Sequence, residues 1–263
     1  MFDIVRITIK GIFRDRVFHG ILMAALLLPL VPSVSQLSMR QVTELSITLS
    51  LSLISFILLL LAVFLGGTSL WKDMERRYTF SVLSLPITRS TYLLGRFLGV
   101  ALFLLITAVV LGGVACVVVL VVSGNYPPDR PVVWDNIYLC VLFDALKYIL
   151  LLAVAVLFST VSTSFFLPIF GTISAFLVGS ASQQVYDYVH SPAGQLVSPA
   201  VRSAATALYY VLPNFSAFDL KVNAIYGVPL TAAGLALTVG YLVIYAAVLL
   251  AIASAIFQKR EMK

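Results

Sequence analysis

Along this chain apolar residues gather into long blocks separated by short polar stretches, rather than alternating with polar ones. Crossing about 30 Å of hydrocarbon takes roughly 20 consecutive apolar residues in a helix. Six blocks meet that length, at about 17–36, 47–70, 93–122, 138–160, 165–183 and 230–257. The third exceeds it, which predicts a tilted or protruding helix. The fifth is the least regular, with Pro168 and Gly171 interrupting its start and Gln183 and Gln184 marking its end. Pro29, Pro32 and Pro168 predict kinks in the first and fifth spans. The stretch 184–229 is unusually apolar for a connection, and Val201 to Leu212 reads as a short helix ended by Pro213. Tyr209, Tyr210, Phe215, Phe218 and Tyr226 read as an aromatic belt at the outer interface. No polar linker is long enough to divide the chain and no internal repeat stands out, so 1–263 reads as one all-α membrane domain.

Composition fixes the solvent. Of 263 residues, 61% are hydrophobic and 11% charged, and the mean hydropathy is +1.06. Soluble domains carry about half apolar and a quarter charged residues, and a core of this size has no room for the excess. A soluble enzyme, a disordered chain, a disulfide scaffold and a nucleic-acid-binding domain are excluded together. The net charge of +6 is therefore a matter of topology, because Lys and Arg accumulate on cytoplasmic loops. With the N-terminus inside, twelve basic residues fall on cytoplasmic segments: Arg6, Lys10, Arg14, Arg16, Lys72, Arg76, Arg77, Arg89, Arg96, Lys259, Arg260 and Lys263. Four fall outside: Arg40, Arg130, Arg202 and Lys221. Both termini are thus expected in the cytoplasm. A signal peptide is weighed and set aside, because the first apolar run is longer than the usual 7–15 or so residues and follows an amphipathic segment. Cys116 and Cys140 lie in or beside spans and read as buried thiols. Asn214-Phe215-Ser216 matches a glycosylation sequon of a kind common by chance.

The chain has no Gly-x-x-x-x-Gly-Lys-Ser/Thr loop, no His-Glu-x-x-His, no Cys-x-x-Cys and no cluster of acids. It therefore holds no nucleotide in the P-loop manner. His19 and His190 are too few and too far apart for a metal site, and no cofactor is expected in the chain. Phe2 to Arg16 is amphipathic: Phe2, Val5, Ile9, Ile12 and Phe13 share one face, with Asp3, Arg6, Lys10 and Arg14 beside it. Such a helix lies in the cytoplasmic interface, its apolar face in the acyl boundary and Arg6, Lys10 and Arg14 at anionic headgroups. In span four, Asp144 and Lys147 stand one turn apart, and ionisable groups at membrane depth are functional candidates by default. Both are placed in the outer part of that span, where they pair with each other and Lys147 snorkels outward. They are candidates for a transport path. Gly95-x-x-x-Gly99 and Gly171-x-x-x-Ala175-x-x-x-Gly179 permit close helix packing.

The connection between spans two and three, Trp71 to Arg96, carries seven charges in a chain otherwise poor in them, with apolar Phe80, Leu83 and Leu85 among them. An apolar knob with a charged rim is the anatomy of a docking surface. Glu75-Arg76-Arg77-Tyr78-Thr79-Phe80, Leu83-Ser84-Leu85-Pro86-Ile87-Thr88-Arg89 and Tyr92-Leu93-Leu94-Gly95-Arg96 resemble the ABC-2 type permease family, the membrane subunits of ATP-binding-cassette exporters. Tyr78 stands where that family usually has Gly. Tyr209-Tyr210-x-Leu212-Pro213-Asn214-Phe215-x-x-Phe218-Asp219 is also similar to family members. The resemblance implies six spans, an N-terminal elbow helix over 1–16 and a coupling loop over 71–92. In it a coupling helix docks on a separate P-loop ATPase that carries ATP and Mg2+. By position, Glu75, Arg76, Arg77, Thr79, Phe80 and Leu83 belong to that helix, and Pro86 and Arg89 to the turn that follows. It also implies a second permease copy, identical or not, and a bacterial or archaeal inner membrane. The stretch 184–229 then either dips into the outer leaflet over an exit path or anchors on the membrane surface. Two other readings stay open from the residues alone: an ion-gradient-driven transporter built on Asp144 and Lys147, and a membrane anchor or mechanical transmitter coupled to an ATPase.

Overall fold

The computed structural model describes residues 1–38, 41–75, 88–128, 130–192, 194 and 197–259, with the backbone alone described for 16–17 and 69–75. Among these residues every regular element is helical. This is the outcome lipid imposes, since a spanning segment must satisfy its backbone N–H and C=O groups within itself. In chain order the helices are α1 (Phe2–Ile12), α2 (Arg16–Met23), α3 (Val31–Ser35), α4 (Val42–Glu75), α5 (Arg89–Asn125), α6 (Trp134–Val161), α7 (Phe166–His190), α8 (Pro199–Val211), α9 (Lys221–Tyr226) and α10 (Ala232–Lys259). A 3-10 segment, Ala24–Leu30, joins α2 to α3 into span one. Spans two to six are α4, α5, α6, α7 and α10.

Span four, α6, is the axis of the bundle, packed against α4, α5, α7 and α10. It is the most buried of the six spans and α10 the least. Close approach is built from glycine. A Cβ on Gly66 of α4 would stand 2.6 Å from Leu152 Cδ1 and 2.9 Å from Ala155 Cβ of α6. With no hydrophobic drive between helices in lipid, such approach supplies the dispersion contacts that hold them.

The spans differ from the sequence reading mainly at their ends. Helix α4 continues through Glu75 and α5 begins at Arg89, where Thr88 Oγ1 accepts from Thr91 N–H as an N-cap. Residues 71–75 and 89–92, read as loop, are therefore helical. At 1.5 Å per residue these helices of 34 and 37 residues reach about 51 and 56 Å, well beyond a hydrocarbon core of about 30 Å. The coupling helix itself lies outside the described residues. Span five does not stop at Gln183 but runs to His190. The Gln183 amide is satisfied within the protein, donating to Asp187 Oδ1 at 2.9 Å and accepting from Asn214 Nδ2 at 2.8 Å. Pro168 falls in the first turn of α7, where its missing N–H is harmless. Pro29 has the effect anticipated: span one is 3-10 helical around it.

The elbow helix also departs from its helical-wheel reading. Its buried stripe is Ile4, Thr8 and Ile12, packed on α5 near its Arg89 end, while Phe2 and Phe13 of the apolar face are exposed. Arg6, Lys10 and Arg14 are exposed as well. The helix thus has three sides, one for the bundle, one apolar and one cationic. The Gly95-x-x-x-Gly99 stripe makes the first side possible: a Cβ on Gly95 would stand 2.9 Å from Ile4 Cγ2, and one on Gly99 2.7 Å from Thr8 Cβ. Its partner is the elbow rather than another span.

Overpacking a close contact costs about 1–3 kcal/mol. Gly99→Val is therefore expected to lower the melting temperature of the detergent-purified protein. Gly113→Val, on the same helix but with open space around the added carbons, is expected to leave it unchanged. Equal melting of the two variants in scanning fluorimetry would remove the elbow from α5.

Candidate functional site

Halfway along α6, Asp144 and Lys147 form an ion pair one turn apart. Their exposures are 2% and 6%. Lys147 is about 20 Å from the Trp134 end of a helix about 42 Å long, at 1.5 Å per residue. The outer, snorkelling position expected of the pair is thus corrected. Span four starts earlier than its apolar run, at Trp134, and the ammonium turns inward to Asp144 and not outward to water. Lys147 Nζ also donates to Ser55 Oγ of α4 at 3.5 Å and sits 4.8 Å from the centroid of the Tyr148 ring. Tyr148 OH and Ser55 Oγ share a hydrogen bond of 2.8 Å. Four side chains from two spans thereby form a closed polar cluster in the driest part of the bundle, where each group's partner must come from the protein.

From this cluster an aromatic ladder leads outward. The Tyr148 ring lies 6.0 Å from Phe176 of α7, and Phe176 lies 5.6 Å from Phe215. Phe215 belongs to the segment after α8, which is inserted between α6, α7 and α10. Tyr241 OH of α10 accepts from Asn214 N–H at 2.9 Å, and Tyr245 OH donates to Val211 O at 2.6 Å, about halfway along α10. Gly179 of α7 leaves room for the insertion: a Cβ there would meet Pro213 O at 2.4 Å and the Phe215 ring at 2.8 Å. Phe215 and Phe218 are fully buried, so these two are internal packing and not part of a surface belt. Asn214 is held by Gln183 and by Ser216, whose N–H and Oγ both donate to Asn214 Oδ1. The sequon is a structural turn.

A second meeting point lies where the start of α5 meets the end of α10. Arg89 Nη1 donates to the carbonyls of Phe257 and Gln258 at 3.4 and 3.1 Å. Carbonyls at a helix C-terminus lack intrahelical donors and carry partial negative charge, so a guanidinium suits them. Beside it, Ser90 Oγ accepts from Ser254 Oγ at 2.9 Å and Gln258 Nε2 at 2.6 Å. About two turns further along α5, Arg96 Nη1 reaches Thr8 Oγ1 of the elbow at 3.4 Å. The first two turns of α5 thus hold both the elbow and the end of span six.

Of the residues singled out for ATPase docking, Arg76, Arg77, Thr79, Phe80, Leu83 and Pro86 lie outside the described residues. Glu75 is the last residue of α4. The structure brings Asp144 and Lys147 together, and sets Arg89 on span six. The sequence reading missed Ser55 and Tyr148, although hydroxyls deep in apolar runs signal a required partner. It also missed Ser90, Ser254 and Gln258, whose pairing crosses the whole length of the chain.

Six apolar helices joined in one bundle define an integral, multi-pass α-helical membrane protein. The family model for the ABC-2 family transporter protein matches residues 5–262, and the chain belongs to that family. Membership makes it a permease subunit, a membrane component of an ABC transporter and not its catalytic subunit. No curated protein matches the chain.

Removing one partner of a buried ion pair typically costs 3–5 kcal/mol or so, whereas replacing both by apolar groups is often neutral. Asp144→Leu and Lys147→Met singly are expected to give little monodisperse protein, and the double variant to recover a wild-type yield. Size-exclusion profiles of the three read this directly. A single variant as well behaved as wild type would deny the pair its holding role.

Proposed function

We propose that this permease couples ATP binding and hydrolysis by a separate P-loop ATPase, which carries ATP and Mg2+, to export across the membrane. The ATPase docks from the cytoplasm on the segment from Glu75 to Arg89, with Arg76, Arg77, Thr79, Phe80 and Leu83 on the contacting helix and Pro86 in the turn. Two permease copies, identical or not, flank the path in a bacterial or archaeal inner membrane, with both termini inside. The observation that carries this reading is the unbroken run of α4 from Val42 to Glu75. It connects the proposed docking segment to Ser55 and hence to the cluster on α6. A stiff helix of this length moves as a lever, so a push at Glu75 arrives at mid-membrane. At the other end of the segment, Arg89 and Ser90 hand the same push to span six, and Arg96 to the elbow.

Asp144 and Lys147 sit inside the protomer, held by α4, and this supports a role in transmitting movement ahead of one in touching substrate. The inserted segment after α8, tied to the cluster through Phe176 and Phe215, is placed to follow that movement and close or open the outer end of the path. The cationic side of α1, with Arg6, Lys10 and Arg14, rests on anionic headgroups at the inner surface.

Gentle-detergent purification of the tagged chain from its native host is expected to bring down a P-loop ATPase in near-equal amount. Glu75→Ala combined with Leu83→Ala is expected to lose most of that ATPase while inserting normally. Arg89→Ala is expected to retain it but to melt at lower temperature and to lose stimulation of ATP hydrolysis. An ATPase absent from the wild-type preparation, or bound as well by the double variant, would defeat the docking assignment.

A further inference from the structure

We infer that the groove between α7 and α8 is a binding site for one anionic phospholipid of the bilayer. The leaflet assigned, the outer one, rests on the cytoplasmic placement of both termini proposed above.

The groove encloses about 320 Å³ and is lined by Leu177, Ala181, Ser182 and Val185 of α7 with Ala205 and Leu208 of α8. Its only side-chain polar group among these is the Ser182 hydroxyl, which is engaged with Gly179 O at 2.8 Å. The walls therefore offer a ligand nothing but apolar contact. From Leu177 to Val185 the groove runs about 12 Å along α7 at 1.5 Å per residue, close to the depth of one leaflet in a core of about 30 Å. That length suits an acyl chain entering from one surface.

The mouth is different. Arg202 stands one turn before Ala205 on α8, at the edge of the groove's lining and facing the end of α7. Its Nη2 donates to Gly194 O at 3.0 Å, beyond the end of α7, so the guanidinium is fixed at headgroup level. Its Nε is buried and has no hydrogen-bond partner among the described residues. An unsatisfied donor on a cation in a poorly hydrated place is unfavourable until an anion arrives. A phosphodiester with one further negative charge supplies the acceptor, and the acyl chain below it fills the apolar walls. The acids near that end are otherwise occupied or distant: Asp187 accepts from Gln183, and Asp219 from Lys221 N–H. Cation at the mouth, apolar slot beneath and a length of one leaflet together specify an amphipathic anion. They do not suit a protein helix, which would leave Arg202 unanswered.

The experiment is native mass spectrometry on delipidated protein given phosphatidylglycerol or phosphatidylcholine of matched chains. Wild type is expected to keep phosphatidylglycerol over phosphatidylcholine by about fivefold or more. Arg202→Gln is expected to keep one phosphatidylglycerol fewer with an unchanged melting temperature, the lipids at Arg6, Lys10 and Arg14 remaining. Ala205→Trp, or Leu208→Trp should the first fold poorly, is expected to lose the same lipid by filling the slot. Equal retention of the two lipids by wild type, or an unaltered count in Arg202→Gln, overturns the site. So does a lipid-free dimer that Ala205→Trp converts to monomer, which would give the groove to a second copy. These readings in detergent are independent of orientation. Val201→Cys in whole cells tests the leaflet: labelling by an impermeant maleimide supports the outer one, and labelling only after permeabilisation overturns that assignment.

Discussion

In hydrocarbon, a polar group that the chain does not satisfy itself stays unsatisfied. The rest of this structure can be read as consequences of that constraint. It explains why α6, which carries Asp144 and Lys147, is the most enclosed helix. It explains why Tyr241 and Tyr245 of the peripheral α10 each reach a backbone group, at Asn214 of the inserted segment and at Val211 ending α8. The described exceptions are few: the buried hydroxyls of Ser46, Ser50 and Ser159, and Arg202 Nε. The last of these carries a full charge, which is why it marks a ligand and the serines do not.

Because lipid gives no hydrophobic drive between helices, the bundle depends on contact distance. Glycine sets that distance at each functional junction. Gly66 seats α4 on α6, Gly95 and Gly99 seat the elbow on α5, and Gly179 admits Pro213 and Phe215 into the bundle. In the proposed coupling the same residues that hold the fold would decide where movement is passed on. The elbow is seated on α5, the inserted segment on α7, and α4 grips α6 both by packing and through Ser55.

Two long helices flank the proposed docking segment, and each is tied to a different part of the bundle. Through α4 a displacement reaches the polar cluster and, by the ladder Tyr148–Phe176–Phe215, the inserted segment. Through α5 it reaches span six and the elbow. An ABC-2 permease built this way needs no catalytic group of its own. Its chemistry is the placement of hydrogen bonds that survive when the ends of the helices are moved.

Much was legible in the sequence because lipid makes the message redundant. Six spans follow from run length, and the short helix before Pro213 follows from its apolar residues and the proline. The family follows from the segment Glu75 to Arg96. The ends of span five and span four were not legible, since polar residues there are satisfied by partners distant in sequence: Gln183 by Asn214, and Asn136 by the carbonyls of Asn223 and Val228. The same cause hid Ser55 beside Lys147 and Gln258 beside Ser90. A periodicity argument sees one helix at a time, so it set the apolar side of α1 in the acyl boundary and did not show that Ile4, Thr8 and Ile12 pack on α5. The sequence by itself determined which segments leave water, because that depends on transfer free energies summed along the chain. Only the tertiary structure decided which polar side chains meet inside, because each such meeting depends on where another helix happens to bring its own.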